Sequence, residues 1–287
     1  MSAPAPRPLM LVTGASAGLG EGFARRYAAQ GWDLALTARR ADRLERLAAE
    51  LRARHGGRVL TLPLDLAEPG APDRLIDAVE AEGRVVDGLV NNAGYSLTGG
   101  FLSLKPADHA GMLAVMAGAP VALSRRVAPG MVRRGFGRIL NVASLAGFLP
   151  ATGGDTLYGP LKSFLIKASQ GLHLELKGTG VHVTALCPGY TLTEFHDVNG
   201  SREAVSRAYP SWMWMDAEPV IRAGYEACEA NRPIEVPGAF NRFMSVAARV
   251  TPAGWALRMA ERHARRLARM PEAVADQTAG GGPNRPA

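Results

Sequence analysis

Cysteine is scarce in this chain, which has only Cys187 and Cys228 among 287 residues, far apart and without a CxxC pair. So few cysteines exclude a disulfide framework and indicate free thiols in a reducing compartment. The sequence also lacks an apolar run of about 18 residues and an N-terminal signal-peptide pattern. We therefore predict a cytoplasmic protein.

Metal-ligand spacing is missing among the six histidines, so no metal site is expected. One stretch near the C-terminus has very few acidic residues. Residues 241–270 hold seven arginines against a single glutamate, so this segment carries +6 of the net charge of +7. Because a basic patch confined to one terminal segment is atypical of a nucleic-acid-binding core, we expect no nucleic-acid partner.

Short apolar segments alternate with helical patterns along most of the chain, without internal repeats or a linker. The predicted strands are Leu9–Thr13, Asp33–Ala38, Val59–Leu64, Val85–Val90, Arg138–Val142 and Val181–Leu186. Residues 106–135 are mostly helical in pattern, with a bend or break expected near Gly118, Pro120, Pro129 and Gly130. This alternation predicts an α/β fold, in which one doubly wound parallel sheet is covered by helices on both faces.

A glycine-rich turn follows the first predicted strand, in the sequence TGASAGLG with Gly14, Gly18 and Gly20. Glycines at a strand end permit a tight turn and a close approach of a phosphate-bearing ligand to the backbone. The helix that follows offers free N–H groups and a positive dipole end to a pyrophosphate. A purely structural turn is the alternative, but the strand-glycine-helix order favours a dinucleotide site.

Arg39 and Arg40 follow the second strand, where a dinucleotide-binding unit meets the adenosine ribose. An acid there would select NAD, whereas arginine pairs with the 2′-phosphate of NADP, so NADP is favoured over NAD. The alternative is that both arginines are a solvated helix start. After the third strand, Asp65 is a candidate to accept from the adenine amino group, to cap the next helix, or to do both. The turn from Asn91 to Gly94 lies at the same ligand edge of the sheet.

Three residues around the fifth strand form a candidate catalytic set. Tyr158 and Lys162 are four positions apart, so a helix places them on one face. Pro160 suits the first turn of that helix. A free phenol has a pKa of about 10, but a neighbouring positive charge favours phenolate and makes the tyrosine a usable general acid or base. Ser144 follows the strand and would hold the reacting oxygen.

These motifs together resemble the short-chain dehydrogenase/reductase family. The matching elements are TGASAGLG at Thr13–Gly20, Asp65, NNAG at Asn91–Gly94, Ser144, YGPLK at Tyr158–Lys162 and PGYTLT at Pro188–Thr193. Their order and spacing agree with the family over residues 9–236.

The resemblance implies a fold of about seven strands and reversible hydride transfer between a nicotinamide and a carbonyl or alcohol. It assigns Ser144 to orient the substrate oxygen, Tyr158 to exchange its proton, and Lys162 to bind the nicotinamide ribose and tune the tyrosine. Thr193 would hold the carboxamide. The expected cofactor-binding set is Gly14, Ser16, Gly18, Leu19, Gly20, Arg39, Asp65, Asn91, Ala93, Gly94, Tyr158, Lys162, Pro188, Gly189 and Thr193.

One position departs from the family pattern. Relatives usually carry an asparagine in the helix before the serine strand, where this chain has Met116. A thioether cannot make the hydrogen bonds of an amide, so the proton relay of the family is rerouted or slower here. An alternative is therefore a catalytically weak or inactive NADP-binding sensor or scaffold on the same fold.

The segment between Thr193 and Asp216 covers the substrate in this family. Its aromatic and thioether side chains suit a bulky lipid-like, steroid-like or aromatic carbonyl compound, and Phe195, Trp212 and Trp214 are the candidate substrate contacts. The alternative is that these side chains close the core or a subunit contact.

We predict one NADP-binding domain at residues 1–237, a basic amphipathic helical extension at 238–270, and a disordered tail at 271–287. The extension either packs on the enzyme or a second subunit, which is the favoured interpretation, or makes peripheral membrane contact through residues 241–270. The resemblance also implies a homodimer or homotetramer.

Overall fold

Seven parallel strands form the central sheet of the computed structural model, which describes residues 7–97, 101–150, 157–194, 210–252, 254–258 and 260–261. The strands are β1 (Leu9–Thr13), β2 (Asp33–Thr37), β3 (Val59–Thr61), β4 (Gly88–Asn91), β5 (Gly137–Val142), β6 (Val181–Leu186) and β9 (Ile234–Glu235). Their order in the sheet is β3-β2-β1-β4-β5-β6-β9. A separate parallel pair joins β7 (Thr191–Leu192) to β8 (Met215–Asp216).

Helices connect the strands of the central sheet. They are α1 (Gly18–Ala29), α2 (Ala41–His55), α3 (Ala71–Ala81), α4 (Pro106–Leu113), α5 (Ala119–Arg134), α6 (Tyr158–Glu175), α7 (Ala217–Glu229) and α8 (Ala239–Val250). Because every pairing in the sheet is parallel, all carboxyl ends of its strands lie at one edge. The strand order reverses direction between β1 and β4, which is where such sheets bind ligands.

Two apolar layers cover the sheet. One contains Phe23 and Tyr27 of α1, Leu44 of α2 and Ile221 of α7. The other contains residues of α3, α5 and α6, including Leu75, Leu123 and Leu161. All five residues of β1 and all five of β2 are buried, as expected of parallel strands covered on both faces. The predicted doubly wound α/β fold is thereby confirmed.

The predicted strand positions agree closely with the observed ones. β1 and β6 have the predicted bounds, and β5 begins one residue earlier than predicted. β3 ends at Thr61 and β4 begins at Gly88, so both are shorter than predicted. Backbone hydrogen bonds to neighbouring strands continue into both missing ends, from Leu62 N to Leu36 O, from Leu64 N to Ala38 O and from Asp87 N to Leu9 O, but the regular strand geometry does not.

A π-helical turn at Ala114–Gly118 lies between α4 and α5. It confirms the irregularity expected near Gly118. No break occurs at Pro129, because α5 continues through it to Arg134. A proline loses one helical hydrogen bond, and packing of the buried side chains Leu123, Val127 and Met131 against the sheet offsets that loss.

Helix α8 packs with its polar side inwards. Asn241 and Ser245 are buried, whereas Phe243, Val246 and Val250 are largely exposed. Asn241 Nδ2 donates to Pro237 O at 2.8 Å, and a methyl group on Gly189 would lie 2.6 Å from the Asn241 side chain. The N-terminal part of the predicted extension is thus helical and lies against the turn that follows β6.

Cys187 and Cys228 are both buried free thiols. In the part of the chain that the structure describes, no helix has the length and apolar character needed to cross a membrane. The same residues contain no group of three His, Cys, Asp or Glu side chains placed to hold a metal ion.

Candidate active site

The glycine-rich turn is fixed from below by Asn92 and Thr13. Asn92 Nδ2 donates to Thr13 O at 3.0 Å and to Gly14 O at 3.2 Å. Thr13 Oγ1 accepts from the backbone N–H groups of Asn92 and Ala93 and donates to Val90 O. The turn after β1 and the turn after β4 are therefore one hydrogen-bonded unit.

Close packing explains the glycines of this turn. Gly14 has a φ of +66°, which side chains rarely adopt, and a methyl group on Gly20 would lie 2.2 Å from Gly14 O. Ala17, the N-cap residue of α1, makes no side-chain cap. The first N–H groups of α1 therefore remain available to a phosphate, and these residues fit a dinucleotide.

The expected ribose side of the site contains Ser16 and Arg40. Ser16 Oγ accepts from Arg40 Nε at 3.2 Å and from Arg40 Nη2 at 3.1 Å. Thr193 lies next to the same turn, since a methyl group on Gly18 would be 3.2 Å from Thr193 Cβ. The structure thus brings together Ser16, Gly18 and Thr193 of the predicted cofactor set, with Arg40 beside Ser16. The contact with Ser16 falls on Arg40, and the role assigned to Arg39 stays a prediction.

Lys162 is buried beneath the first turn of α6. Its Nζ donates to Val142 O at 2.8 Å and lies 5.6 Å from the centroid of the Tyr158 ring. Burial lowers the pKa of Lys162 to about 8. About nine tenths of such an amine is protonated at pH 7, so the ammonium needed beside Tyr158 is retained. A methyl group on Gly94 would lie 3.7 Å from this Nζ, which places Lys162 at the turn after β4.

Ser144 lies on a tight turn that packs on α6. Its Oγ accepts from Ala146 N at 3.1 Å and donates to Pro188 O over 3.5 Å. A methyl group on Gly147 would lie 2.8 Å from the Lys162 backbone, so glycine is needed for this close approach. The long bond to Pro188 leaves the serine hydroxyl hydrogen available to another acceptor. The structure therefore places the serine turn against the helix that carries Tyr158 and Lys162.

Asn91 belongs to a buried polar chain beneath these residues. Its Nδ2 donates to Asn141 Oδ1 at 2.8 Å, and Asn141 Nδ2 donates to Ser169 Oγ at 2.8 Å. These bonds join β4, β5 and α6, the three elements that carry the Asn91–Gly94 turn, Ser144 and Lys162. The Asn91 side-chain amide is engaged inside the protein, and its predicted contact with the adenosine half remains a prediction.

Met116 lies in the π-helical turn, buried at the same place. A methyl group on Gly94 would be 3.5 Å from Met116 Cγ and 3.7 Å from Lys162 Nζ. The Met116 side chain and the Lys162 ammonium therefore both line the turn at Gly94, and the thioether stands at the position where the family carries an amide. Single π-helical turns occur often at functional sites because they displace one residue of a helix from its regular position.

The remaining predicted cofactor residues lie around the same edge. Asp65 Oδ1 accepts from Ala67 N at 2.9 Å, and α3 begins after Gly70, so the alternative that Asp65 caps that helix is wrong. Pro188 O accepts from Leu145 N, and Gly189 contacts Asn241 of α8. Leu19 is the second residue of α1 and packs against the core.

The predicted substrate contacts are only partly described. Phe195 lies outside the described residues. Trp212 is 64% exposed and meets Phe240 of α8 edge to face, with ring centroids 4.8 Å apart. Trp214 is half-buried and lies 5.4 Å from the Tyr190 ring. The tryptophans are thus surface or half-buried groups, and neither closes the main core.

Four residues of this region were not predicted as site residues. Thr13, Asn92 and Asn141 hold the turns by hydrogen bonds, and Glu194 pairs with Arg43 and Arg40. Thr13, Asn92 and Asn141 each lie at a strand end next to a motif identified in the sequence. That position is the sequence feature from which their role could have been predicted. Glu194 had no signal, since its partners lie some 150 positions earlier in the sequence.

The parallel sheet, its switch point and the glycine turn define a dinucleotide-binding α/β protein. The sequence pattern of the short chain dehydrogenase family matches residues 8–204. The chain belongs to this family.

Two relatives and one distant structure illustrate the range of the family. The NADP-dependent 3-hydroxy acid dehydrogenase YdfG of Salmonella typhi is 37% identical over 224 residues, covering 75% of this chain and 86% of that protein. A short-chain dehydrogenase from Sphingobium yanoikuyae, solved with NADPH, has a TM-score of 0.73 and 30% identity, covering 93% of this chain and 97% of that one. The bulky-bulky ketone specific alcohol dehydrogenase of Comamonas testosteroni has a TM-score of 0.69 and 25% identity, covering 93% and 96%.

Proposed function

We propose that this protein is an NADP-dependent oxidoreductase that transfers a hydride between the nicotinamide and a carbonyl or secondary alcohol of a hydrophobic substrate. The observation that supports this most is the position of Lys162. Its buried ammonium is held by Val142 O, lies beneath the Tyr158 ring and reaches the turn at Gly94. This arrangement gives a phenol the neighbouring positive charge that acid-base catalysis needs.

In carbonyl reduction, Ser144 donates its hydroxyl hydrogen to the substrate oxygen and holds that oxygen beside Tyr158. Tyr158 then gives its proton to the same oxygen, and the Lys162 ammonium stabilises the phenolate that remains. Oxidation of an alcohol runs the same proton transfer in reverse. Bound NADPH supplies the hydride, so the protein itself orients the substrate and moves the proton.

NADP is the cofactor that the arginines at the end of β2 favour. Arg40 donates to Ser16 of the glycine turn, Arg43 shares Glu194 with Arg40, and guanidinium groups match the geometry of a phosphate. YdfG is named as NADP-dependent, and the Sphingobium yanoikuyae structure was solved with NADPH. Both are consistent with this assignment.

The proposed substrate class rests on the side chains beyond Thr193. Trp212 and Phe240 form an exposed aromatic pair, and Trp214 packs on Tyr190. These groups suit a bulky lipid-like, steroid-like or aromatic ketone or aldehyde. The Comamonas testosteroni enzyme is named for bulky ketones, whereas YdfG is named for 3-hydroxy acids. Bulky ketones and 3-oxo acids are therefore the two substrate classes to compare.

Steady-state reduction with NADPH tests the proposal. A diaryl or steroid ketone is compared with a short 3-oxo acid, each over a range of concentrations. We expect kcat/KM to be at least about tenfold higher for the bulky ketone, since each buried methylene contributes about 0.8 kcal/mol. A preference for the 3-oxo acid would contradict the substrate class and leave the reaction type intact.

A second candidate function is an NADP-binding sensor or scaffold with little turnover, and the buried Met116 beside Lys162 favours it. Nicotinamide fluorescence separates the two. Consumption of NADPH with a panel of carbonyl compounds indicates an enzyme, and binding without consumption indicates a sensor. In the enzyme, we expect Met116→Asn to raise the rate, because an amide restores a polar partner near the lysine.

We also propose peripheral contact with an anionic membrane surface through α8. Phe243, Val246 and Val250 recur at helical spacing and are exposed, and Arg242 and Arg249 flank them. The aromatic pair of Trp212 and Phe240 extends this face toward the expected substrate wall. A hydrophobic substrate would then reach the site from the lipid.

Vesicle co-sedimentation tests this contact, with phosphatidylglycerol in the anionic vesicles and phosphatidylcholine in the neutral ones. We expect binding to the anionic vesicles that is lost in the double variant Phe243→Ser, Val246→Ser. Leu102→Ser, which changes an apolar side chain that is 95% exposed elsewhere, is the matched control. Loss of a dimer in sedimentation velocity, without vesicle binding by the wild type, would instead assign the face to a second copy. A homodimer or homotetramer, proposed from the resemblance, is read from the same sedimentation data.

A further inference from the structure

Glu194 lies against the arginines that follow the second strand. Its Oε2 is 2.5 Å from Arg43 Nη1 and 3.7 Å from Arg40 Nη1. Arg40 also donates two hydrogen bonds to Ser16 Oγ in the glycine turn. One carboxylate oxygen therefore lies between two guanidinium groups, and one of these guanidinium groups also binds the hydroxyl of the turn.

The chemistry of this cluster suits a phosphate better than a single carboxylate. Arg40 is 17% exposed, and its burial lowers the pKa of its guanidinium, with the charge of Arg43 adding to the effect. Asp42, the other acid nearby in sequence, pairs with Arg46 at 3.0 Å. Within the residues that the structure describes, the ion pairs of Arg40 and Arg43 are both made with Glu194. A group carrying nearly two negative charges would neutralise the two arginines more completely.

Glu194 is also placed where the cofactor must pass. It follows Thr193, which lies against Gly18, the first residue of α1. A ligand that spans from the N-terminus of α1 to the end of β2 runs along both residues. The carboxylate and the 2′-phosphate of such a ligand would approach the same guanidinium groups.

We propose that Glu194 competes with the 2′-phosphate of NADP for Arg40 and Arg43 and thereby weakens NADP binding while leaving NAD binding unaffected. The inference rests on the proposed NADP dependence and adds a residue that sets its strength. Binding of NADP breaks the two ion pairs of Glu194, and binding of NAD leaves them in place. The cofactor preference of this chain is thus smaller than its arginines alone would give.

Isothermal titration of the full-length protein tests this without any turnover. The ligands are NADP⁺ and adenosine 2′,5′-bisphosphate, which carry the 2′-phosphate, and NAD⁺ and 5′-AMP, which lack it. We expect Glu194→Gln to bind the first two about fivefold more tightly, a gain typical of removing one competing charge at a partly exposed site. The affinities for NAD⁺ and 5′-AMP stay the same.

Two further variants complete the design. Glu68→Gln removes a carboxylate from an exposed arginine pair with Arg74 and is the matched control, with no change for any ligand. Arg43→Gln weakens binding of NADP⁺ and adenosine 2′,5′-bisphosphate only. Equal or weaker NADP⁺ binding by Glu194→Gln would overturn the inference alone. Weaker NAD⁺ binding by that variant would place the carboxylate on the ribose hydroxyl and also overturn it. Failure of the wild type to bind either phosphate ligand would overturn the proposed cofactor as well.

Discussion

The edge proposed to bind the cofactor and the edge proposed to contact the substrate, here called the cofactor edge and the substrate edge, are built in different ways. At the cofactor edge, turns are joined by buried hydrogen bonds such as those from Asn92 to Thr13 and Gly14, and glycines allow contacts that no side chain would permit. At the substrate edge, exposed aromatic groups such as Trp212 and Phe243 lie on short elements and on α8. The first region has one arrangement fixed by the backbone, and the second presents side chains to its surroundings.

This difference separates positions that decide the chemistry from positions that decide what is bound. Buried polar groups that are hydrogen-bonded to one another hold a single geometry, because breaking one bond leaves the other group unsatisfied. Exposed apolar groups have no such requirement and tolerate replacement. Substitutions at the cofactor edge should therefore have large effects, and those at the substrate edge small and selective ones.

Tyr158→Phe should have the largest effect on activity. A small effect would contradict the contrast between the cofactor edge and the substrate edge. We expect kcat for carbonyl reduction to fall about 10³-fold, within the range for loss of a general acid, with an unchanged Kd for NADPH. Stopped-flow reduction and fluorescence titration measure the two quantities. The control is Tyr225→Phe on α7, whose exposed hydroxyl makes only a 3.4 Å contact with Gln30 and should leave kcat unchanged.

Gly20→Ala should follow, because the added methyl group would lie 2.2 Å from Gly14 O. We expect the free energy of unfolding to fall by about 3 kcal/mol and NADPH affinity to fall with it. Urea unfolding gives the first value. Gly171→Ala in α6 has open space around it and should be neutral or stabilising by up to about 1 kcal/mol. Equal effects of the two substitutions would show that the close approach is unimportant.

Lys162→Met should raise stability while abolishing activity. The pKa of Lys162 is lowered from 10.5 to about 8, so the folded protein binds fewer protons than the unfolded chain between these values, and wild-type stability rises with pH across that window. The variant lacks this term. Its advantage in unfolding free energy should therefore be larger at pH 7 than at pH 10, by about 2 kcal/mol. Urea unfolding of both proteins at the two pH values measures the difference. An advantage independent of pH would mean that burial does not shift this lysine.

Trp212→Ala should have the smallest effect and sharpens the contrast. Because its side chain is largely exposed, the free energy of unfolding should change by less than about 1 kcal/mol. The KM for a bulky ketone should rise severalfold while kcat for a small aldehyde stays constant. Thermal unfolding and steady-state kinetics test both points. A loss of stability above that of Gly20→Ala would place Trp212 in the core instead.

The sequence predicted the fold and brought the motifs of the proposed cofactor site to one edge of the sheet, for physical reasons. Local geometry makes three patterns recognisable in a sequence: glycines where a turn needs a positive φ, a Tyr and a Lys four positions apart on a helix, and asparagines at strand ends. Both the sheet and the segment carrying Lys162 were predicted from such patterns. The interior bonds of Asn91 to Asn141 were not, because they join side chains 50 positions apart.

The C-terminal region was harder to predict. Helical spacing identified the apolar residues of α8. The spacing alone does not tell whether this apolar side of the helix packs on the core or faces outwards. Asn241 decides between them, since its side chain fits against Gly189 and turns Phe243 outwards. Similarly, α5 passes through Pro129 because packing against the sheet outweighs a local preference.

The fit of Asn241 against Gly189 also affects how the protein can be handled. If the chain were truncated after Val236 and a fluorescent protein or affinity tag attached there, the Asn241 amide would be lost, and with it the group that packs against Gly189 in the turn following β6, a turn in the proposed cofactor site. The same tag attached after Val250 keeps α8 and its contact in place. What resembles an appendage to the family fold is thus one wall of the turn on which Pro188 and Gly189 lie.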